Sequence, residues 1–143
     1  MNKKTFTIQE ASWTQDMLAL RKIREVVFVI EQKVPMELEW DDKDETAIHV
    51  LAVSSSGEEI GTGRLLPNGQ VGRMAVLSNW RNSGVGSKIL SQLLIIAKNK
   101  GITPLFLNAQ VSAIAFYKRH GFQVIGNKFM EAGISHQRME KME

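Results

Sequence analysis

The chain has 143 residues, 43% of them hydrophobic and 23% charged, which suffices for one domain with a full core and is too few for two ordinary ones. With no cysteine, disulfides, thiolate metal sites and cysteine nucleophiles are excluded together, and a reducing compartment fits. The formal charge of +3 is mild: basic residues are scattered, and acidic ones cluster from Glu37 to Glu45. A DNA-binding domain concentrates its Lys and Arg on one element, so nucleic acid is not an expected partner, whereas a modest positive field suits a polyanionic small molecule. Met1 to Ile8 has no apolar run, and stretches such as Leu93 to Ala97 are far short of a membrane span. The expectation is a soluble cytoplasmic protein.

Thr5 to Glu10 alternates weakly and predicts a short strand. Ser12 or Thr14 can cap a following helix with Asp16 in its first turn, and Met17, Leu20, Ile23, Arg24 and Val27 recur at helical spacing. That helix should fade around Phe28 to Gln32, where β-branched residues accumulate. Lys33 to Glu45 predicts a polar loop whose acidic run reads as a solvated face; Trp40 within it is a candidate to line a substrate pocket, while Trp13 and Trp80 read as packing residues. Ala47 to Ser54, Glu59 to Leu66 and Gln70 to Leu77 are strands separated by Ser55-Ser56-Gly57 and Pro67-Asn68-Gly69, so three antiparallel strands follow one another.

The period then changes. From Gly84 to Lys100, Val85, Ile89, Leu93 and Ala97 share one face, with Leu90 and Leu94 beside them. Gly101 provides a left-handed stop, and Lys98 and Lys100 complement the last turn. Pro104 to Ala109 is a buried-type strand, Ser112 to Arg119 a short helix, and Phe122 to Gly126 and Gln137 to Met142 are closing strands. The order gives an α/β fold with a mixed sheet. The seven methionines read as core filler.

The chemistry-bearing feature is the join between the third of these strands and the long helix: Ser78-Asn79-Trp80-Arg81-Asn82-Ser83-Gly84-Val85-Gly86-Ser87. A helix start leaves four N–H groups unpaired and carries about half a positive charge, and a diphosphate satisfies both. Gly84 and Gly86 let the backbone approach its oxygens, Arg81 adds positive charge at the rim, and Ser87 offers a hydroxyl. A Walker loop is absent, and a dinucleotide fingerprint fails because Ile89 stands where its third glycine belongs. A tight turn with no ligand is the competing reading of the glycines alone.

Arg81-x-x-Gly84-x-Gly86, placed after Met74-Ala75-Val76-Leu77, resembles the Gln/Arg-x-x-Gly-x-Gly/Ala signature of the GNAT superfamily of acyl-CoA N-acyltransferases. Ala115-Phe116-Tyr117-Lys118-Arg119-His120-Gly121-Phe122 resembles its second landmark, and the element order agrees over nearly the whole chain, taken as one domain from 1 to 143. Val27 to Pro35, with Glu39, Asp41 and His49, and Glu131 to His136 are similar to a bacterial branch of small acetyltransferases.

The resemblance implies a mostly antiparallel sheet with helices on both faces and a splay between the fourth and fifth strands. It implies acetyl-CoA as co-substrate, its pantetheine arm along Met74, Ala75 and Val76, its pyrophosphate on the amides of Asn82, Ser83, Gly84, Val85, Gly86 and Ser87, and Asn108, Phe116 and Tyr117 approaching from the far side. Tyr117, the only tyrosine, stands where relatives place the proton donor to the leaving thiolate, and the amide of Val76 is the candidate to polarise the thioester carbonyl. The acceptor is an amine of a small molecule or protein.

No carboxylate lies in the fourth or fifth strand, so Glu31, Glu39, Asp41, His49 and His136, or a water chain, remain as routes for the amine's proton. His49 otherwise fills a sheet face, and three histidines without paired spacing predict no metal site. The missing strand carboxylate also keeps open a second reading, an acyl-CoA sensor without turnover. A homodimer is left open.

Overall fold

The computed structural model describes residues 4–142; Met1 to Lys3 of the amino-terminal segment and Glu143 lie outside them. Two antiparallel sheets stand side by side in one α+β domain. The first runs β1 (Phe6–Ala11), β2 (Ile48–Ser54), β3 (Glu59–Leu65), β4 (Val71–Val76) in spatial order; the second runs β5 (Phe106–Gln110), β7 (Ile134–Lys141), β6 (Phe122–Glu131). They touch through one parallel bridge, Gln70 to Phe106, so β4 and β5 part company as they leave it, as the resemblance implied.

Gly69 fixes the closed end of this wedge. Its φ is +97°, and a Cβ there would collide with the Pro104 carbonyl oxygen, while its own carbonyl accepts the Phe106 amide at 3.1 Å. Only glycine meets both demands.

The helix α3 (Val85–Lys100) covers one face of the first sheet. Val85, Ile89, Leu90, Leu93 and Ala97 are essentially fully buried with Val50, Ile60 and Leu65, each large aliphatic contributing about 1.5–3 kcal/mol. The methionines divide: Met139 is buried in this core, whereas Met36, Met130 and Met142 are exposed. The helix α1 (Trp13–Arg24) and the segment after it cover the other face, burying Leu20, Ile23, Val27 and Phe28 against Leu51 and Ala75. Ser12 precedes α1 without a side-chain cap; instead its amide donates to Asp16 Oδ2 at 2.9 Å.

Three expectations are corrected. The first helix does not fade at Phe28: Glu25–Glu31 continues it as a π-helix, closed by Gln32 N–H donating to the Val27 carbonyl. The wider turn relieves the crowding of consecutive β-branched side chains that would weaken an α-helix there. Second, β6 and β7 form one long hairpin joined at Ala132-Gly133, because a register shift between Ile125 and Phe129 absorbs the break at Gly126.

Third, the acidic stretch is only half a solvated face. A short helix α2 (Met36–Glu39) begins it, and Glu39, Asp41 and Asp44 turn inward while Glu37, Asp42 and Glu45 stay exposed. Asp44 accepts from Arg24 Nη1 at 2.8 Å and Arg64 Nη1 at 3.1 Å, and its carbonyl accepts from His49 Nε2 at 2.9 Å. Glu39 Oε2 accepts from Arg24 Nε at 2.8 Å. Asp41 takes Arg64 on both oxygens and Arg73 Nη2 at 3.1 Å. Three arginines thus face three carboxylates in a formally neutral cluster, buried except for the partly exposed Asp41 and Arg73. Trp40 is drawn into it rather than into a pocket, its ring 4.5 Å and 5.2 Å from the guanidinium carbons of Arg21 and Arg24.

Removing one member of such a cluster strands its partners in low dielectric. Asp44→Ala is expected to lower the unfolding free energy in urea by about 3–5 kcal/mol, whereas Glu31→Ala, which breaks a half-exposed pair with Arg81, should change it by less than about 1 kcal/mol.

Candidate active site

The wedge between β4 and β5 encloses an open cavity of about 660 Å³. One wall is β4. Opposite Gly63 of β3, β4 carries two residues, Arg73 and Met74, where one would pair, and Arg73 takes a left-handed φ of +48°. This is a β-bulge, a device that re-aims a strand's backbone groups. Because Leu77 N–H donates back to Ile60 on β3, strand alternation turns the Val76 amide and carbonyl outward into the wedge. The Ala75 side chain packs into the cluster with Leu20 and Phe28 on the α1 face.

Arg73 is held in its strained conformation from outside the strand. Its Nη2 donates to the Glu39 carbonyl at 3.2 Å and to Asp41, and its Nε lies 3.1 Å from Glu39 Oε2. The bulge is therefore tied to the buried charge cluster, and Glu39 and Arg73 both reach the cavity wall.

At the wide end lies the turn Arg81 to Gly84 and the start of α3. Gly84, at φ +86°, needs to be glycine for backbone reasons. Gly86 does not: a Cβ there would touch Phe116 at 3.5 Å, an ordinary contact. Its missing side chain instead leaves room on the cavity wall that Phe116 and Val76 share. No side chain caps α3 and no acidic residue occupies its first turn, so its opening amides and the positive end of the helix are left for another anion.

Of the residues singled out from the sequence, Met74, Ala75, Val76, Arg81, Gly86, Asn108, Phe116 and Tyr117 line one cavity. Asn82, Ser83, Gly84, Val85 and Ser87 are not among its lining residues; they form the turn and first helical turn beside it, with Val85 buried in the core and Ser87 Oγ 3.2 Å from His120 Nε2. Arg81 lies at the rim as expected, but its charge is engaged: Nε donates to the Val76 carbonyl at 3.0 Å, and Nη2 to Glu31 at 2.8 Å. That hydrogen bond holds the Glu31 carboxyl below its ordinary range.

Tyr117, on the short helix α4 (Ile114–Lys118), packs edge-on against Phe116 and Phe122. Burial alone pushes its hydroxyl up to about 12, so it keeps its proton at neutral pH.

The expected proton acceptors separate cleanly. His49 is buried under Trp13, ring to ring at 5.2 Å, away from the cavity, and burial pulls its imidazole down. Burial pushes Asp41 up, but Arg64, Arg73 and the Lys43 amide outweigh it and hold the carboxyl below its usual range. Burial raises Glu39 despite its arginines. Glu39 and His136 line the cavity.

Sequence reasoning gave no role to Phe28, Arg73 or Gln110, which also line it. An arginine inside a strand otherwise facing a core was the available signal for Arg73.

The chain matches the model of the acetyltransferase (GNAT) domain family over residues 9–143. It is 39% identical to an uncharacterised N-acetyltransferase of Bacillus subtilis (strain 168), YjcF, over 83% of this chain and 87% of that one. It is 36% identical to the Bacillus subtilis protein YyaT, over 99% and 95%. Among solved structures it resembles an acyl-CoA N-acyltransferase from Pseudomonas aeruginosa, with a TM-score of 0.86 and 28% identity over 96% of this chain and all of that one. Escherichia coli ElaA superposes with a TM-score of 0.85 at 26% identity, over 95% and 99%. The chain therefore belongs to the GNAT acetyltransferase family.

Two outcomes follow from this geometry. Gly86→Glu puts an acidic group in the first turn of α3, which favours the helix while opposing an incoming anion; its thermal stability should match or exceed wild type while coenzyme A affinity, read by calorimetry, falls about tenfold or more. Tyr117 keeps its proton to about 12 when folded but to about 10 when unfolded, so unfolding releases a proton between those values and stability falls as pH rises. Relative to Tyr117→Phe, the wild type should lose about 1.4 kcal/mol by pH 11 in urea titrations.

Proposed function

We propose that this protein transfers an acetyl group from acetyl-CoA to a primary amine by direct attack. The observation that carries the reading is the wedge itself: an outward-facing strand edge at Met74 to Val76 leads straight to an uncapped helix start at Gly86, and one tyrosine lines the same cavity. An extended pantetheine can pair with the strand edge while its diphosphate occupies the helix start, which leaves the thioester at the bulge.

The residues divide the work as follows. The outward amide of Val76 stabilises negative charge on the thioester oxygen. The amine enters from the α1 side, where Phe28, Gln32, Val34 and Leu38 line the cavity, and forms the C–N bond as the C–S bond breaks. Tyr117 protonates the departing sulfur and recovers a proton from the nitrogen. Its apolar surroundings keep the donor neutral until the thiolate forms.

With acetyl-CoA and a panel of primary amines, free thiol should appear only when a suitable amine is present. Tyr117→Phe should lower kcat by about a hundredfold and leave the acetyl-CoA dissociation constant within a factor of about two, since the ring and its packing stay. Tight binding with no thiol release across the panel would instead make the chain a sensor.

A further inference from the structure

We propose that His136 takes the proton from the incoming ammonium group and that Glu131 positions that ammonium against it. The inference rests on the transferase reading and supplies its missing base.

The other carboxylates are occupied by cations. Glu31 holds the Arg81 guanidinium through both oxygens. Asp41 does the same with Arg64 and adds Arg73. Glu39 reaches the cavity, but its Oε2 lies between Arg24 Nε and Arg73 Nε, so its charge is already matched within the cluster. His136 differs on each count.

His136 lies on β7, opposite Gln110 of β5 and Phe129 of β6, and lines the cavity while remaining buried. Its ring stacks on Phe129 at 5.9 Å and 23°. Nδ1 is 2.7 Å from the Ile134 carbonyl; a carbonyl only accepts, so Nδ1 carries the hydrogen and the neutral ring presents a lone pair at Nε2. Nε2 stands 3.6 Å from Glu131 Oε2, too far for a hydrogen bond and close enough for one ammonium to contact both.

The charged groups around this ring are few. Glu131 faces it from β6; Arg138, two residues along β7, is turned away onto Phe106 and Glu140; Glu39 and Arg73 stand on the cavity wall as a neutralised pair. Gln32 and Gln110 are tied to each other at 2.8 Å. Phe28, Val34, Leu38 and Ile134 add apolar wall, and Gln70, Asn108 and Ser112 add uncharged polar groups. The site thus suits a primary amine on an apolar body, and among the described residues the lining cations Arg73 and Arg81 are both paired, which leaves none free for a carboxylate beside that amine.

The step balances. The ammonium gives one proton to Nε2, which becomes an imidazolium beside the Glu131 carboxylate and later releases that proton to water. The freed nitrogen lone pair attacks the thioester carbon, the C–S bond breaks, and a second nitrogen proton reaches the sulfur through Tyr117.

The test measures thiol release from acetyl-CoA with phenethylamine and with phenylalanine between pH 6 and 10, alongside acetyl-CoA binding by calorimetry. Wild type should prefer phenethylamine and show an acid limb of unit slope in kcat/KM that lies below the titration of the amine itself. His136→Gln should lose that limb and fall about a hundredfold at pH 7, with the deficit shrinking as pH approaches the amine's own pKa and acetyl-CoA binding unchanged. Glu131→Gln should raise the phenethylamine KM several-fold with less effect on kcat.

A His136→Gln deficit that is the same at every pH, or a wild-type profile with no such limb, overturns the inference. So does wild-type protein that binds acetyl-CoA and turns over phenylalanine alone or neither amine. Failure of wild type to bind acetyl-CoA sinks the transferase reading itself, which separates the two.

Discussion

Two sheets that touch at one bridge and then diverge set the terms for the rest of the molecule. The divergence would close if β4 could pair with β5, and the bulge at Arg73 works against that by disrupting the strand's regular edge. A left-handed arginine inside a strand is costly and persists only because Asp41, Glu39 and the Glu39 carbonyl grip its guanidinium. The cleft is thus maintained from one side by a glycine packed against Pro104 and from the other by a cluster of charges.

That cluster also explains why a region with so little apolar content is ordered. Taking these charges largely out of water is expensive, and mutual attraction offsets the cost only when opposite charges are well matched in geometry. Here α1, α2, β3 and β4 each contribute members, with His49 of β2 adding a hydrogen bond to the Asp44 carbonyl. The cluster acts as a common register mark for elements far apart in the chain, and it neutralises the Arg73 guanidinium on the cavity wall.

Much of this was legible in the residues, and the parts that were not share a cause. The change from a two-residue to a 3.6-residue period at Gly84 located β4, the turn and α3, because those signals are local. The tyrosine and the two glycines carried the family resemblance, and the cavity unites Gly86 with Tyr117. The inward turn of Glu39, Asp41 and Asp44 was not legible, since their partners lie 15 to 34 residues away. One clue was present: Arg24 fell on the apolar stripe of α1, and a buried arginine requires carboxylates. The long β6–β7 hairpin was missed because Gly126 and Gly133 look like terminators in isolation, while the pairing that spans them is set by β7.

The π-helix after α1 has a consequence for how such a protein can diverge. A π-turn is a helix carrying surplus backbone, so a chain one residue shorter there could recover ordinary winding while both flanks keep their places. Arg24 before it and Gln32 after it would still meet their partners, while the residues between them, Val27 and Phe28 of the cleft lining among them, would shift. Insertions and deletions at this one stretch therefore offer a route to reshape the pocket without disturbing the scaffold that holds it.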